Sequence, residues 1–199
     1  MAKLCLFTGR AEKMGWYAIY VKTGQEEAVC TRIRRILQQI EYKKPYELLV
    51  PKRQIKERHQ GSFIEKCSIM FPGYVLVGTE HITDLYTKTM KCKDLYRFLK
   101  NNGEFQEIGL DEISNIVYMA DEEGVIGISD IYIENDIVKV TSGPLCRYFG
   151  WVKKVDKHKH RAKVLFMFQG HSYLIDLSVN FICKPTDDEI KAIFPYYRR

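Results

Sequence analysis

Apolar residues recur along this chain with two different periods, and the change from one to the other divides it in two. In the first part, residues 15–22 open with Trp16-Tyr17-Ala18-Ile19-Tyr20-Val21, aromatic and β-branched side chains that suit a pleated strand, and Gly24 closes the run. Val29, Ile33, Ile36, Leu37 and Ile40 then fall three or four apart, which gathers them on one face of a helix, with Arg32, Arg35 and Gln39 on the other. Thr23 and Glu26 have the spacing of a capping box at its start. Residues 46–59 and 62–77 read as two extended segments, Gln60-Gly61 between them as the turn of a long hairpin, and Pro51 puts the first at a sheet edge or a bulge. A short helix over 82–90, a strand over 95–99 and a helix over 110–120 with Ile113, Ile116, Val117 and Ala120 on one face complete the series. The order β, α, β, β, α, β, α predicts an α+β fold, an antiparallel sheet with flanking helices.

Residues 121–130 break the pattern with four acids, two glycines and no continuous apolar face, as a linker does. After them the period becomes two. Segments 136–141, 150–156, 162–168, 171–177 and 181–183 read as short strands of a small SH3-like β-barrel with Val138, Val140, Val152, Val155, Val164, Phe166, Leu174 and Leu177 as its core. A barrel of roughly fifty residues is near the lower limit for independent folding, so that core must pack efficiently. The organisation is then an N-terminal extension over 1–14, a sheet-and-helix domain over 15–120, a linker over 121–130, a barrel over 131–184 and a tail over 185–199 that is either a helical turn or frayed.

Composition narrows the class. Apolar residues are 46% and aromatics 13%, ample for a folded core. The net charge of +6 is unevenly spread: residues 131–184 hold nine Lys or Arg against four acids, which favours a polyanion as partner. The six cysteines lie far apart without a Cys-x-x-Cys pair, as in a reduced, cytoplasmic protein, and the apolar patch Leu4 to Phe7 is too short for a signal core or a membrane span. His158 and His160, two apart on a turn, and the scattered thiols make no metal site, and no phosphate loop, dinucleotide fingerprint or nucleophile elbow is present, so neither cofactor nor enzymatic activity is expected.

The run Trp16 to Glu26, followed by Phe71-Pro72-Gly73-Tyr74-Val75-Leu76-Val77, resembles two stretches of the N-terminal (NGN) domain of the NusG family of transcription elongation factors. Asp136-Ile137-Val138-Lys139-Val140, Gly143-Pro144 and Gly150-Trp151-Val152 are similar to the KOW motif of that family's second domain. The resemblance implies a factor that binds RNA polymerase, through the clamp helices of its largest subunit, with Tyr20, Phe71, Tyr74, Leu76 and Phe98 as contacts. Tyr74 and Leu76 alternate with Val75 and Val77, so if helices cover the valine face, the aromatic face is left partly open as an apolar cup for a helix pair. Residues 48–53, 61–63 and 70–74, with the basic barrel, resemble the specialised LoaP-like paralogues more than housekeeping members. The loop at 101–108 lacks a proline that relatives often carry.

Within the barrel, Lys153, Lys154, Lys157, Lys159, Arg161 and Lys163 are candidate contacts for RNA phosphates, and Arg147, Tyr148 and Tyr173, beside Phe149, candidates for stacking or anchoring. Their expected ligand is a structured hairpin in the nascent transcript. Gly143 and Gly150 read as positions needing unusual backbone angles, and the valines favour a permanent barrel rather than the helix-to-barrel conversion of RfaH. A second cluster, Lys52, Arg53, Lys56 and Arg58, is a candidate contact for nucleic acid, non-template DNA included, or a charge-protected edge. Two other readings compete with the antiterminator: a housekeeping factor whose barrel binds Rho or a ribosomal protein with Phe168 as a contact, and an RNA-binding KOW protein without a polymerase role. The chain is expected to be a monomer.

Overall fold

The computed structural model describes residues 14–90 and 96–185, without the side chains of Arg147 and Phe149. The expected extension before Met14 and the tail beyond Pro185 lie outside the described residues. In chain order the elements are β1 (Gly15–Val21), α1 (Glu26–Gln39), β2 (Glu47–Leu49), β3 (Lys52–His59), β4 (Ser62–Ile69), β5 (Tyr74–Thr79), α2 (Ile82–Thr89), β6 (Tyr96–Phe98), β7 (Lys100–Asn101), β8 (Glu104–Phe105), β9 (Glu107–Ile108) and α3 (Leu110–Met119). They continue as β10 (Val125–Ile126), β11 (Ser129–Glu134), β12 (Ile137–Ser142), two 3-10 turns, β13 (Val152–Asp156), β14 (Arg161–Phe168) and β15 (His171–Phe181). The α+β architecture expected from the periodicity is the one found.

The main sheet runs β2-β5-β1-β6, with β9 also on β1. β1 and β5 are antiparallel, Ala18 opposite Leu76 and Tyr20 opposite Tyr74. Because side chains alternate along a strand, this register sends Ile19, Val21, Val75 and Val77 to one face and Trp16, Ala18 and Leu76 to the other. The first face packs on Val29, Cys30, Ile33 and Leu37 of α1 and Leu85 of α2. On the second lie Ile113, Ile116 and Val117 of α3, in a core that runs on without a break into the barrel residues Val164, Phe166 and Phe168. Two separately folded cores were implied by the sequence; the second face and the barrel share one.

Helix α1 has the apolar stripe its spacing predicts, apart from Ile40, which is exposed at the C-cap. The capping box does not form. Gln25 is the N-cap and makes no side-chain cap bond. Glu26 is instead buried, and its carboxylate accepts the Gly73 backbone N–H at 2.7 Å. Gly73 has φ +88 and its carbonyl accepts from Val21 N at 2.8 Å, so the Pro72-Gly73 bend that starts β5 is tied to both α1 and β1.

Neither long extended segment is continuous. At Val50-Pro51 the chain leaves β2, the edge of the main sheet, and enters β3, which belongs to a separate small sheet of order β10-β3-β4. The hairpin is as read: His59 pairs Ser62, and Gln60 and Gly61 both have positive φ, 47 and 88, as a tight two-residue turn requires. The acidic stretch expected as a bare linker carries β10, which pairs parallel to β3 with Ile126 fully buried.

The barrel strands run β12-β11-β15-β14-β13. Strand β11 lies across the expected boundary between linker and barrel, and segment 171–177 runs on without a break to Phe181 as one strand, β15, so that no separate strand forms over 181–183. Leu174 is no core residue: it is 58% exposed, because Tyr173, Ile175 and Leu177 alternate inward and residue 174 is out of phase with them. Gly143 has φ +86, and a Cβ there would lie 2.6 Å from the Ile128 carbonyl oxygen, so only glycine fits. Gly150 has open space around it and no positive φ, contrary to the expectation for it.

Candidate functional site

Strand alternation and the barrel's position decide the fate of the five candidate polymerase contacts. Tyr74 and Leu76 share a face with Tyr20, but Phe98 does not: it pairs with Ile19 in register and packs among the helix-covered residues with Tyr86, Tyr96 and Phe105. Phe98 is therefore core on the opposite side of the sheet. Leu76 and Phe71 are also buried. Tyr20, 45% exposed, is the open member, with its ring edge-on to Tyr74 at 5.7 Å and the Arg97 guanidinium 5.7 Å above it.

The expected cup is occupied by the barrel. Phe168, at the end of β14, stacks on Phe71 with centroids 4.5 Å apart and meets Tyr74 edge-on at 5.3 Å. Tyr173 of β15 stands edge-on to Phe71 at 5.6 Å. Burial and the neighbouring Tyr173 and Tyr20 hydroxyls push the Tyr74 phenol above its ordinary value. Such aromatic pairs contribute about 0.5–1.5 kcal/mol each beyond the area they bury. Beside them, the Glu112 carboxylate of α3 accepts the backbone N–H groups of Gln169 and Gly170 at 2.9 and 3.0 Å, capping the β14–β15 turn.

The second basic cluster is largely spent on the same contact. Arg53 donates to the Asp176 backbone carbonyl, and Lys56 donates through its side chain to Asn180 and through its backbone N–H to the Ser178 hydroxyl at 2.7 Å. Lys52 pairs with Glu27 on α1. Burial, and after it the charge of Arg161, lower the Arg53 pKa, while Asp176 opposes them. Arg58 is exposed near the hairpin tip. The tip also reaches the barrel, where the Phe63 ring lies 4.8 Å from that of His160.

In the barrel, Lys153, Lys154, Lys157, Lys159 and Lys163 are exposed. The turn that presents them is held by Asp156, whose carboxylate accepts Lys159 N at 2.9 Å; hydrogen bonds from the Lys159 backbone lower its pKa. Arg161 is half-buried at the seam, 3.8 Å from Asp176, which also pairs with Lys163 at 2.9 Å. Tyr173, expected to stack on bases, packs on Phe71 and Phe168 instead, and Tyr148 packs against the barrel core. The side chain of Arg147 lies outside the described residues. Sequence reasoning missed Glu112, Asp176, Ser178 and Asn180. None stands in a motif, and each matters only because two distant segments meet.

Known proteins provide an independent comparison. The family model described as "Transcription termination factor nusG" matches residues 14–117, more than half of the chain. The protein called "Transcription termination/antitermination protein NusG" of Rickettsia typhi is 23% identical over 171 residues, covering 85% of this chain and 89% of its own. Its namesake from Thermus thermophilus is 21% identical over 182 residues, covering 85% and 97%. Among solved structures, one titled "Domain interaction in Thermotoga maritima NusG" superposes with a TM-score of 0.54 at 19% identity, over 84% of this chain and 95% of that one, and so shares the fold. No helix among the described residues is long and apolar enough to cross a membrane.

Proposed function

Because this chain belongs to the NusG family, non-enzymatic transcription factors whose members bind RNA polymerase, we propose that it is a specialised, LoaP-like member promoting processive elongation and antitermination in the cytoplasm. In this reading the polymerase-binding surface is the sheet face bearing Tyr20, Phe71, Tyr74 and Leu76, and the clamp helices of the largest subunit take the place that the barrel occupies in the closed arrangement. The observation that carries it is the packing of Phe168 on this face, stacked on Phe71 and edge-on to Tyr74. An apolar face that a small domain can cover reversibly is a face that an amphipathic helix pair can cover instead. Phe98, on the far side of the sheet, supports the fold beneath that face and is not part of it.

The barrel is the nucleic-acid arm. Lys153, Lys154, Lys157 and Lys159 project from one turn and its flanking strand, and lysines so grouped neutralise closely spaced phosphates and release counterions. Their partner in this reading is structured nascent RNA. Carried on one chain, the two contacts reinforce each other by an effective concentration, so each can be weak alone. The charged hairpin has Arg58 left for DNA, since Lys52, Arg53 and Lys56 are engaged within the protein.

A housekeeping reading, with the barrel bound to Rho or a ribosomal protein through Phe168, requires the same opening, because Phe168 is fully buried in the closed arrangement. The test is pull-down of core RNA polymerase by the full chain, by Tyr20→Ala and by Phe71→Ala/Tyr74→Ala, with circular dichroism as the folding control. Loss of polymerase by folded cup variants is the expected result. Full retention by the cup variants rules out this face as the polymerase contact, and failure of the unsubstituted chain to capture polymerase leaves an RNA-binding protein without a polymerase role.

A further inference from the structure

Four cations, Arg53, Lys56, Arg161 and Lys163, meet at the seam between hairpin and barrel, where the carboxylate of Asp176 faces Arg161 and Lys163. The Nε groups of Arg53 and Arg161 are buried there without a hydrogen-bond acceptor. A buried donor left unpaired costs free energy that a suitable acceptor would recover. Next to it opens a cavity of about 230 Å³ lined by Lys154, Asp156, Lys159, Arg161, Lys163 and Asp176. That is several times the ~30 Å³ share of one water molecule, and four basic side chains face two acidic ones, one of which already caps Lys159 N.

We propose that this cavity seats a backbone phosphate of RNA, and that seating it opposes closure of the two domains because Arg161 serves both. This rests on the RNA-binding reading above. In the closed arrangement Arg161 directs one terminal nitrogen toward the Lys56 carbonyl oxygen at 3.4 Å and the other toward Asp176. A phosphate is the stronger partner for a guanidinium, because it accepts two parallel charge-assisted bonds where the carbonyl accepts one long one. Drawn into the cavity, Arg161 leaves the Lys56 carbonyl oxygen, and the Asp176 carboxylate, repelled by the phosphate, turns away from Arg161. RNA capture then loosens the hairpin end of the interface. The aromatic end, at Phe168 seven residues along β14, is ~20 Å away.

That separation provides the test. The full chain, labelled with 15N, is titrated with a 12-base-pair RNA stem-loop of arbitrary sequence and with poly(U) at two salt concentrations, while Glu112→Ala provides the spectrum of a loosened interface. Lys163→Ala and Lys154→Ala are expected to weaken binding about 5-fold or more and to flatten its salt dependence by about one phosphate contact. Lys139→Ala, on an exposed site outside the cavity, has the same change in net charge and is expected to stay within about twofold by the same counting. On saturation the Gly170 amide signal is expected to move toward its position in Glu112→Ala. If the cavity variants bind no worse than Lys139→Ala, the site is wrong while RNA binding by the turn stands. RNA binding that leaves the Gly170 signal unmoved overturns the link to closure, and absence of any RNA binding at low salt overturns the nucleic-acid half of the proposed function as well.

Discussion

The ring of Phe71, at the bend into β5, lies on the ring of Phe168, at the end of β14, with centroids 4.5 Å apart and planes 29° from parallel. Each ring belongs to a surface assigned by family resemblance to a different external partner, and each is covered by the other. In the proposed reading, availability of either surface is set by the balance between closed and open arrangements, which interactions at the rim of this stack would control.

Glu112 is one such rim residue. Its carboxylate holds two backbone N–H groups of the barrel, and charge-assisted bonds of this kind contribute about 1.5–3 kcal/mol when buried, less when partly exposed as here. Replacing Glu112 by Ala is expected to shift the closed-to-open ratio by about 5- to 30-fold and to strengthen polymerase binding. Small-angle scattering and polymerase titration read the two effects; unchanged values in both would remove Glu112 from the interface.

Glu26 ties α1 to the Pro72-Gly73 bend from a fully buried position. In Glu26→Ala the Gly73 N–H loses its acceptor, at a cost of about 1–3 kcal/mol, or roughly 2–12 °C in Tm for a chain of this size. Glu26→Gln keeps an acceptor oxygen and is expected to lose less than half as much. Calorimetry decides, and equal losses in the two variants would count against the bond.

Gly143 and Gly150 should part company under the same substitution. Alanine at 143 meets both a positive φ and the Ile128 carbonyl oxygen at 2.6 Å, and is expected to destabilise the barrel by about 1–3 kcal/mol. Alanine at 150 has open space and is expected to stay within about 0.5 kcal/mol. Urea denaturation of the two variants compares them directly.

Cys30, buried on α1, has its thiol pushed up from 9.0 to about 12, chiefly by burial. The folded state holds this proton more tightly than the unfolded chain does. Its contribution to stability is therefore intact below about pH 9 and is lost as pH rises from 9.0 toward about 12. In native protein at pH 8.5, iodoacetamide is expected to alkylate exposed Cys67 and spare Cys30. Mass spectrometry of the labelled peptides shows which thiol reacted first.

Periodicity located the three α-helices of the described residues and the hairpin turn because each depends on neighbours within a few positions. It failed where partners are remote. Thr23 and Glu26 have the right spacing for a cap, yet Glu26 turned to Gly73, 47 positions along the chain. Leu174 is apolar, and only the phase set by Ile175 and Leu177 on the barrel shows that it points outward.

The sequence by itself determined the α+β front half, the small barrel behind it, and the family to which both belong, since local propensity, strand alternation and motif order are written in consecutive residues. Only the tertiary structure decided which aromatics are open, that Phe98 lies across the sheet from Tyr74, and that Phe168 closes over the expected cup. Those outcomes depend on burying two apolar surfaces against each other across a hundred positions of chain, a gain that no window of neighbouring residues contains.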